Sequence, residues 1–254
     1  MATHKIILNS DMGESFGNYH VGPNHLMQYL SAVNLACGFH AGDPMVMMES
    51  VRAAKKYGAD VGAHPGFPDL RGFGRRMMDL SPDEVYTDTL YQLGALDVFL
   101  RAEGMAMTHI VPHGELDPLV SDVEEHARAF VAAIKDYKKD LIMIIEEKAL
   151  LTKIGKEEGV GVLFVGYPDL KYNPDGSFLI DREKKPLEPM EIVEQSVRMI
   201  KEHRAKAADG QYFDVNTDVL AYHSDVPNAE EILIALRERF LEEDIEVVRI
   251  GDYR

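Results

Sequence analysis

The chain is expected to fold as a single parallel α/β barrel, and three features of the sequence lead there. Short apolar runs alternate with longer stretches of helical periodicity along its 254 residues. No linker rich in Pro, Gly or Ser and no low-complexity stretch divides it. Histidines and carboxylates recur just past the apolar runs, in Asn9-Ser-Asp11-Met-Gly-Glu14, Cys37-Gly-Phe-His40-Ala-Gly-Asp43, Gly62-Ala-His64-Pro-Gly66, Val111-Pro-His113-Gly-Glu115 and Ala221-Tyr-His223-Ser-Asp225. Side chains at the C-terminal ends of parallel strands converge on one mouth, so this recurrence marks where chemistry is built. The competing architecture is an open doubly wound sheet, whose ligand sits where the strand order reverses.

The elements follow in order. Lys5 to Asn9 makes the first strand and Ala32 to Ala36 the second, closed by the small-residue turn Cys37 to His40. Pro44 suits the first turn of a helix running to about Tyr57, because its missing N–H has no intrahelical partner there. Asp60 to Ala63 is a short third strand, and Pro65 to Arg76 is a loop rich in Gly and Pro. Ser81-Pro82-Asp83-Glu84 has capping-box order and opens a helix with an apolar stripe of Val85, Leu90, Leu93, Leu96 and Leu100, ended by Gly104. A strand at Met105 to Val111, a helix from Asp122 to about Tyr137, a strand at Leu141 to Ile145 and a helix to Glu158 continue the alternation. Val160 to Val165 is another buried strand, and Asn173-Pro174-Asp175-Gly176 turns a small hairpin insertion near residues 167–186. Pro189 opens a helix to about Lys206. Asp218 to Tyr222, a helix from Pro227 to Glu242 and a strand at Glu246 to Ile250 complete seven or eight mostly parallel strands in one domain, residues 1–254.

Composition narrows the partners. Acidic residues outnumber basic ones 43 to 27, and the formal charge of −16 repels nucleic acid and anionic membranes, leaving small molecules as the better partners. The lone Cys37 excludes an internal disulfide framework. With no basic and apolar leader and no run near the roughly 20 apolar residues that span a bilayer, a cytoplasmic protein is expected.

Each polar group has a plainer reading beside the functional one. Asp11 and Glu14 flank Gly13, which permits a turn; they either cap and solvate it or form a carboxylate pair. Asp43 either orients His40 or merely caps the helix that Pro44 begins. His64 and His113 stand beside prolines in rigid turns, and His40 and His223 have the same strand-end context. His4, His20, His25, His126 and His203 lack it and read as surface or packing residues, while His109 fits either group. Imidazole with carboxylate suits zinc, manganese, iron or cobalt, and the wide spacing points to a catalytic rather than a structural site. A metal there polarises a carbonyl or acidifies a bound water; without one, the same groups serve as general acid and base. Arg71, Arg75 and Arg76 either hold a substrate carboxylate or phosphate or pair with the acidic surface, with Gly72 and Gly74 letting backbone approach closely.

Five passages, Asn9-Ser-Asp-Met-Gly-Glu14, Asn34-Leu-Ala-Cys-Gly-Phe-His-Ala-Gly-Asp43, Gly62-Ala-His-Pro-Gly-Phe-Pro-Asp69, Gly72-Phe-Gly-Arg-Arg76 and Tyr91-Gln-Leu-Gly-Ala95, resemble the LamB/YcsF family, the A-type subunits of 5-oxoprolinase, most strongly from Leu8 to Gly104. The resemblance implies a TIM-like barrel of the glycoside hydrolase/deacetylase type that opens 5-oxoproline to glutamate, dependent on ATP and two partner subunits. It makes Asp11, His40 and His64 the expected metal ligands, with Asp11, Glu14, His113 and His223 catalytic and Arg71, Arg75, Arg76 and Asp43 binding substrate. The second half departs from the family pattern. Val111-Pro-His-Gly-Glu-Leu-Asp117 replaces Lys-Pro-His-Gly-Ala-Leu-Tyr, Tyr167-Pro-Asp-Leu-Lys-Tyr172 lacks an arginine, and Tyr222-His-Ser-Asp225 replaces Val-His-Gly-Asp. Losing two cations and a phenol argues for a changed substrate in a divergent paralogue. The expected function is hydrolysis of a lactam or linear amide, with a divalent metal and with ATP used by a complex. The alternatives are a subunit that only binds a small acid for an ATP-using partner and, by analogy of fold, a metal-dependent deacetylase. Association with further copies of the chain is also expected.

Overall fold

The computed structural model describes residues 4–179 and 184–253. Strands β1 His4–Met12, β2 Ala32–Ala36, β3 Asp60–His64, β4 Met107–Ile110, β5 Ile142–Ile145 and β6 Gly161–Gly166 stand side by side in sequence order. Two short antiparallel pairs follow, β7 Lys171–Tyr172 with β8 Phe178–Leu179, and β9 Arg204–Lys206 with β10 Tyr212–Asp214. Strand β11 Val219–His223 then pairs with both β6 and β1 and closes a seven-stranded parallel barrel. The last strand, β12 Ile245–Val247, pairs only with the start of β1, so the eighth strand flanks the ring instead of joining it.

The helices are α1 Pro44–Tyr57, α2 Pro82–Ala102, α3 Leu116–Asp122, α4 Glu124–Tyr137, α5 Leu150–Glu157, α6 Pro189–Glu202 and α7 Ala229–Glu242. The barrel strands are buried on both faces, which is why they read as unbroken apolar runs instead of alternating ones. Successive residues still divide between two layers. Ile6, Leu8, Val33 and Leu35 belong to the core between barrel and helices, whereas Ile7, Ala32, Ile144, Leu163, Val165 and Val219 form a separate cluster inside the barrel.

Local chemistry sets the ends. Asp43 caps α1 by accepting from the Met45 and Val46 backbone N–H groups at 2.9 and 3.0 Å. Ser81 and Glu84 form the reciprocal capping box of α2. The structure corrects several expected boundaries. The helix expected from Asp122 to about Tyr137 begins at Glu124, just after the extended Val123, and a further helix, α3, occupies Leu116–Asp122 where none was expected. His203 adopts a left-handed conformation, φ 53°, ending α6 early and turning residues up to Lys206 into β9. A 3₁₀ turn at Asn24–Tyr29 precedes β2, and another at Ile250–Asp252 replaces the end of the expected last strand. The expected hairpin near 167–186 contains β7 and β8, while its residues 180–183 lie outside those described. No helix among the described residues is long and apolar enough to cross a membrane.

Candidate active site

Four buried side chains meet at the C-terminal end of the barrel. Gly13, at φ 67°, turns the chain just after β1 and delivers Glu14; His40 follows β2, His64 ends β3 and His113 follows β4. One ligand atom from each of Glu14, His40, His64 and His113 lies within 4.8 Å of the others. Glu14 Oε1 is 3.3 Å from His40 Nε2, 3.3 Å from His113 Nδ1 and 3.9 Å from His64 Nε2. The His40 and His113 rings stack with centroids 3.7 Å apart. Loop 65–76 rests directly on them. A Cβ on Gly66 would stand 2.5 Å from His40 Nδ1, and one on Gly74 2.9 Å from atoms of both His40 and His113, so glycine is what permits this approach.

The outward hydrogen bonds fix which nitrogens carry protons. His64 Nδ1 donates to the Val111 carbonyl at 2.9 Å, and His113 Nε2 donates to the Phe73 carbonyl at 2.8 Å, because a carbonyl can only accept. In the neutral rings His64 Nε2 and His113 Nδ1 are therefore both lone pairs, yet they face each other at 2.9 Å beside the Glu14 carboxylate. Glu14 Oε1 and both His40 nitrogens have no hydrogen-bond partner among the described residues, although Glu14 is only 4% and His40 0% exposed. Converging acceptors with nothing donated to them need a positive centre. Three imidazoles and a carboxylate are a donor set that suits a divalent cation, and the carbonyl bonds hold two of the rings as metal ligands usually are held.

A single proton could fill the same gap, and the charges say where it would go. Burial resists protonation of His64, but Asp11 and then Glu14 override it and the imidazole is pushed up from its ordinary value. Burial, reinforced by the neighbouring imidazoles, drives His40 and His113 well down.

Asp11 was expected among the metal ligands, but the structure places it beside the group of four. Its Oδ1 accepts from Asn34 Nδ2 at 2.8 Å and lies 3.4 Å from His64 Nε2, with part of the side chain open to the mouth. Burial opposes its ionisation, yet His64 outweighs this and holds the carboxyl far below the usual carboxylate range. The amide that aims it belongs to a buried network the sequence did not single out: Asn34 also donates to Asn9 Oδ1 at 2.6 Å and accepts from His109 Nε2 at 2.8 Å. His109, which the sequence left open, is thus a supporting residue inside the barrel. His223 pairs in register with Asp11 across β1 and β11, and its Nδ1 lies 3.1 Å from Asp169. Burial lowers the His223 pKa, but Asp169 overrides it and raises it.

The expected substrate-binding set divides. Asp43 is occupied by backbone, capping α1 with Oδ1 and accepting from Gly17 N–H at 2.8 Å with Oδ2. Arg76 is held by Asp69 through two of its N–H groups, and Gly72 gives Asp69 room and a backbone N–H, so neither Arg76 nor Gly72 is arranged for a ligand. Arg71 is exposed at the surface. Arg75 alone reaches the centre's surroundings: it lies over the Phe73 ring and 3.7 Å from Asp225, which Lys184 approaches at 3.9 Å.

Two acids on the rim went unnoticed in the sequence. Glu146 directly follows β5 and Asp117 lies in the first turn of α3, after β4. Burial first, and then Asp117, pushes Glu146 up to about 8; burial, and less strongly Asp122, pushes Asp117 up to about 6. Glu146 had the same signal as the five motifs, a polar residue immediately past an apolar run. Because both groups hold protons more tightly when folded, they stabilise the chain below their unfolded pKa values near 4, and that stability is lost as pH rises toward 8. Urea unfolding at pH 5.5 and 8.5 is expected to show a loss of roughly 2 kcal/mol, discounted for the solvent that still reaches both side chains. Glu146→Gln should remove most of that slope, and an unchanged slope would refute the assignment.

A seven-stranded parallel ring closed on itself, with helices packed around it, defines a TIM-like α/β barrel, here with a carboxylate and three histidines in its mouth. A family 4 carbohydrate esterase from Streptomyces lividans shares the fold, with TM-score 0.51 and 11% identity over 97% of this chain and 93% of that one. More specifically, the chain belongs to the LamB/YcsF family, which matches residues 6–254. It is 42% identical to the A-type subunit of 5-oxoprolinase from Pyrococcus furiosus over 253 residues, 98% of this chain and 99% of that one. The lactam utilization protein of Thermus thermophilus superposes with TM-score 0.88 and 39% identity, covering 97% of this chain and 100% of that one.

Proposed function

We propose that this chain hydrolyses a carbon–nitrogen bond in a lactam or related amide, as the names of its relatives suggest for them, and that Glu14, His40, His64 and His113 hold a divalent cation for that reaction. The observation that carries the proposal is the convergence of unpartnered, buried acceptors on one point. A cation bound there supplies Lewis acidity toward a carbonyl or a water molecule.

The remaining steps belong to the chain's own groups. Asp11, which His64 favours in its ionised form and which is partly open to the mouth, accepts the proton of the attacking water as the new C–O bond forms. His223, oriented through Nδ1 by Asp169 and favoured in its protonated form, presents Nε2 as the donor to the departing nitrogen when the C–N bond breaks. Water enters and an amine leaves, with one proton taken up on Asp11's side and one given from His223's side. Arg75 remains the substrate-anchoring candidate among the three arginines. The relatives are named as one subunit of an oxoprolinase, which supports assembly with partner subunits, and ATP is then used by that complex.

The test is an assay of the isolated chain on lactams, 5-oxoproline included, after loading with zinc, manganese or cobalt, repeated with ATP and partner subunits. Cation-dependent ring opening by the isolated chain or by the complex is expected. A complex that opens the ring equally well when this chain carries His64→Ala would reduce the chain to a binding role.

A further inference from the structure

We propose that His109 is a positioning residue for Asp11: a hydrogen bond from its Nε2–H fixes the Asn34 amide with the N–H side toward the Asp11 carboxylate. This rests on reading Asp11 as the group that takes the proton of the attacking water. It adds the residue that decides how that carboxylate is held.

The groups lie in one layer of the barrel. His109, Gly62, Asn34, Asp11 and His223 are successive partners in register across β4, β3, β2, β1 and β11. Gly62 leaves the gap in that layer, since a Cβ on it would overlap the His109 ring. The imidazole therefore reaches across β3 to Asn34 on β2. Three contacts of 2.8 Å make the chain, from Thr108 Oγ1 to His109 Nδ1, from His109 Nε2 to Asn34 Oδ1, and from Asn34 Nδ2 to Asp11 Oδ1. His109 is 0% and Asn34 1% exposed, so bulk water does not compete for these bonds.

Asn34 and Asn9 by themselves leave the orientation open. Their amides face each other reciprocally, Asn34 Nδ2 donating to Asn9 Oδ1 at 2.6 Å and Asn9 Nδ2 to Asn34 Oδ1 at 3.0 Å. Turning both amides over together would keep both bonds, but it would set the Asn34 oxygen against the Asp11 carboxylate, acceptor against acceptor. The imidazole breaks the tie. Burial, and then the charge of His64, holds the His109 pKa down at about 3, so the neutral ring carries one proton. Thr108 has a single hydroxyl proton and gives it to the nearer of two acceptors, His109 Nδ1 at 2.8 Å instead of the Val61 carbonyl at 3.1 Å. That leaves the ring proton on Nε2, where only the oxygen of Asn34 can meet it, and the Asn34 N–H then turns to Asp11.

The test joins spectra to kinetics. Ring-nitrogen NMR of the histidine-labelled full chain at pH 7 is expected to show His109 neutral with its proton on Nε2. His109→Gln keeps an amide N–H donor within reach of Asn34, whereas His109→Met has similar bulk and no donor. The Asn34 side-chain N–H resonance, deshielded by the Asp11 carboxylate, should persist in His109→Gln and be lost in His109→Met. In the lactam assay, run with partner subunits where turnover needs them, His109→Met should lower kcat about 10- to 100-fold. KM and calorimetric zinc affinity should stay within about two-fold of native, and His109→Gln should recover most of the rate. A proton on Nδ1 in the native chain would overturn the proposal, and that spectrum needs no variant to fold. So would a His109→Gln as slow as His109→Met, or a His109→Met with native kcat and an unchanged Asn34 resonance. If no lactam is opened by any form, the hydrolase reading fails alone, and the two resonances still decide whether His109 sets the Asn34 amide.

Discussion

Glutamine in place of Glu14 is expected to cut lactam turnover by about 10²- to 10⁴-fold and to abolish stabilisation by divalent cations, while leaving the folded chain intact. Glu14 is the one carboxylate shared by three imidazoles, at 3.3, 3.3 and 3.9 Å. In the native chain a cation at a hundred times its dissociation constant should add about 2.7 kcal/mol, which for a domain of this size raises Tm by roughly 5 to 10 °C. The variant amide is nearly the same shape, and its N–H can donate to His113 Nδ1 or His40 Nε2, which lack any donor. Its melting temperature without metal should therefore equal or exceed that of the native chain. Calorimetric melting with and without zinc or manganese, together with the lactam assay, checks both halves. A variant that still gains stability from cations and still turns over substrate would place the centre elsewhere.

Removing the ring of Phe130 as Phe130→Ala is expected to cost about 3 to 5 kcal/mol, a fall in Tm of roughly 10 °C. Phe130 lies on α4, fully buried in the core between the barrel and its helices, where α4 packs against α2. The cost has two parts, the lost transfer of the ring from water and the cavity its neighbours cannot fill, because close-packed interiors relax only partly. Denaturant unfolding measures it. A loss below about 1 kcal/mol would mean that α4 rearranges freely, contrary to the packing described.

How much of this was legible beforehand can be judged residue by residue. His40, His64 and His113 were visible because each follows an apolar run beside Gly or Pro, and a parallel barrel turns that linear context into a shared location. The capping of α1 and α2 was equally plain, since those bonds join residues two or three apart. The helix α3 was not, because its 7 residues make only about two turns, too few for a helical stripe to stand out.

The amino-acid order alone thus determined the alternation of strands and helices, the strand-end position of the histidines and the family to which they belong, since each is written in short-range pattern. Only the tertiary structure decided which carboxylate joins them. Asp11 is tied to Asn34 on the neighbouring strand, while the left-handed turn at Gly13 carries Glu14 into the group, and no spacing along the chain distinguishes the two. The closure of the ring by β11 likewise placed His223 beside Asp11, and burial with no cation at hand gave Asp117 and Glu146 their altered acidity. Register, burial and the missing counter-charge depend on residues far apart in the chain, which is the physical reason they appear only once it has folded.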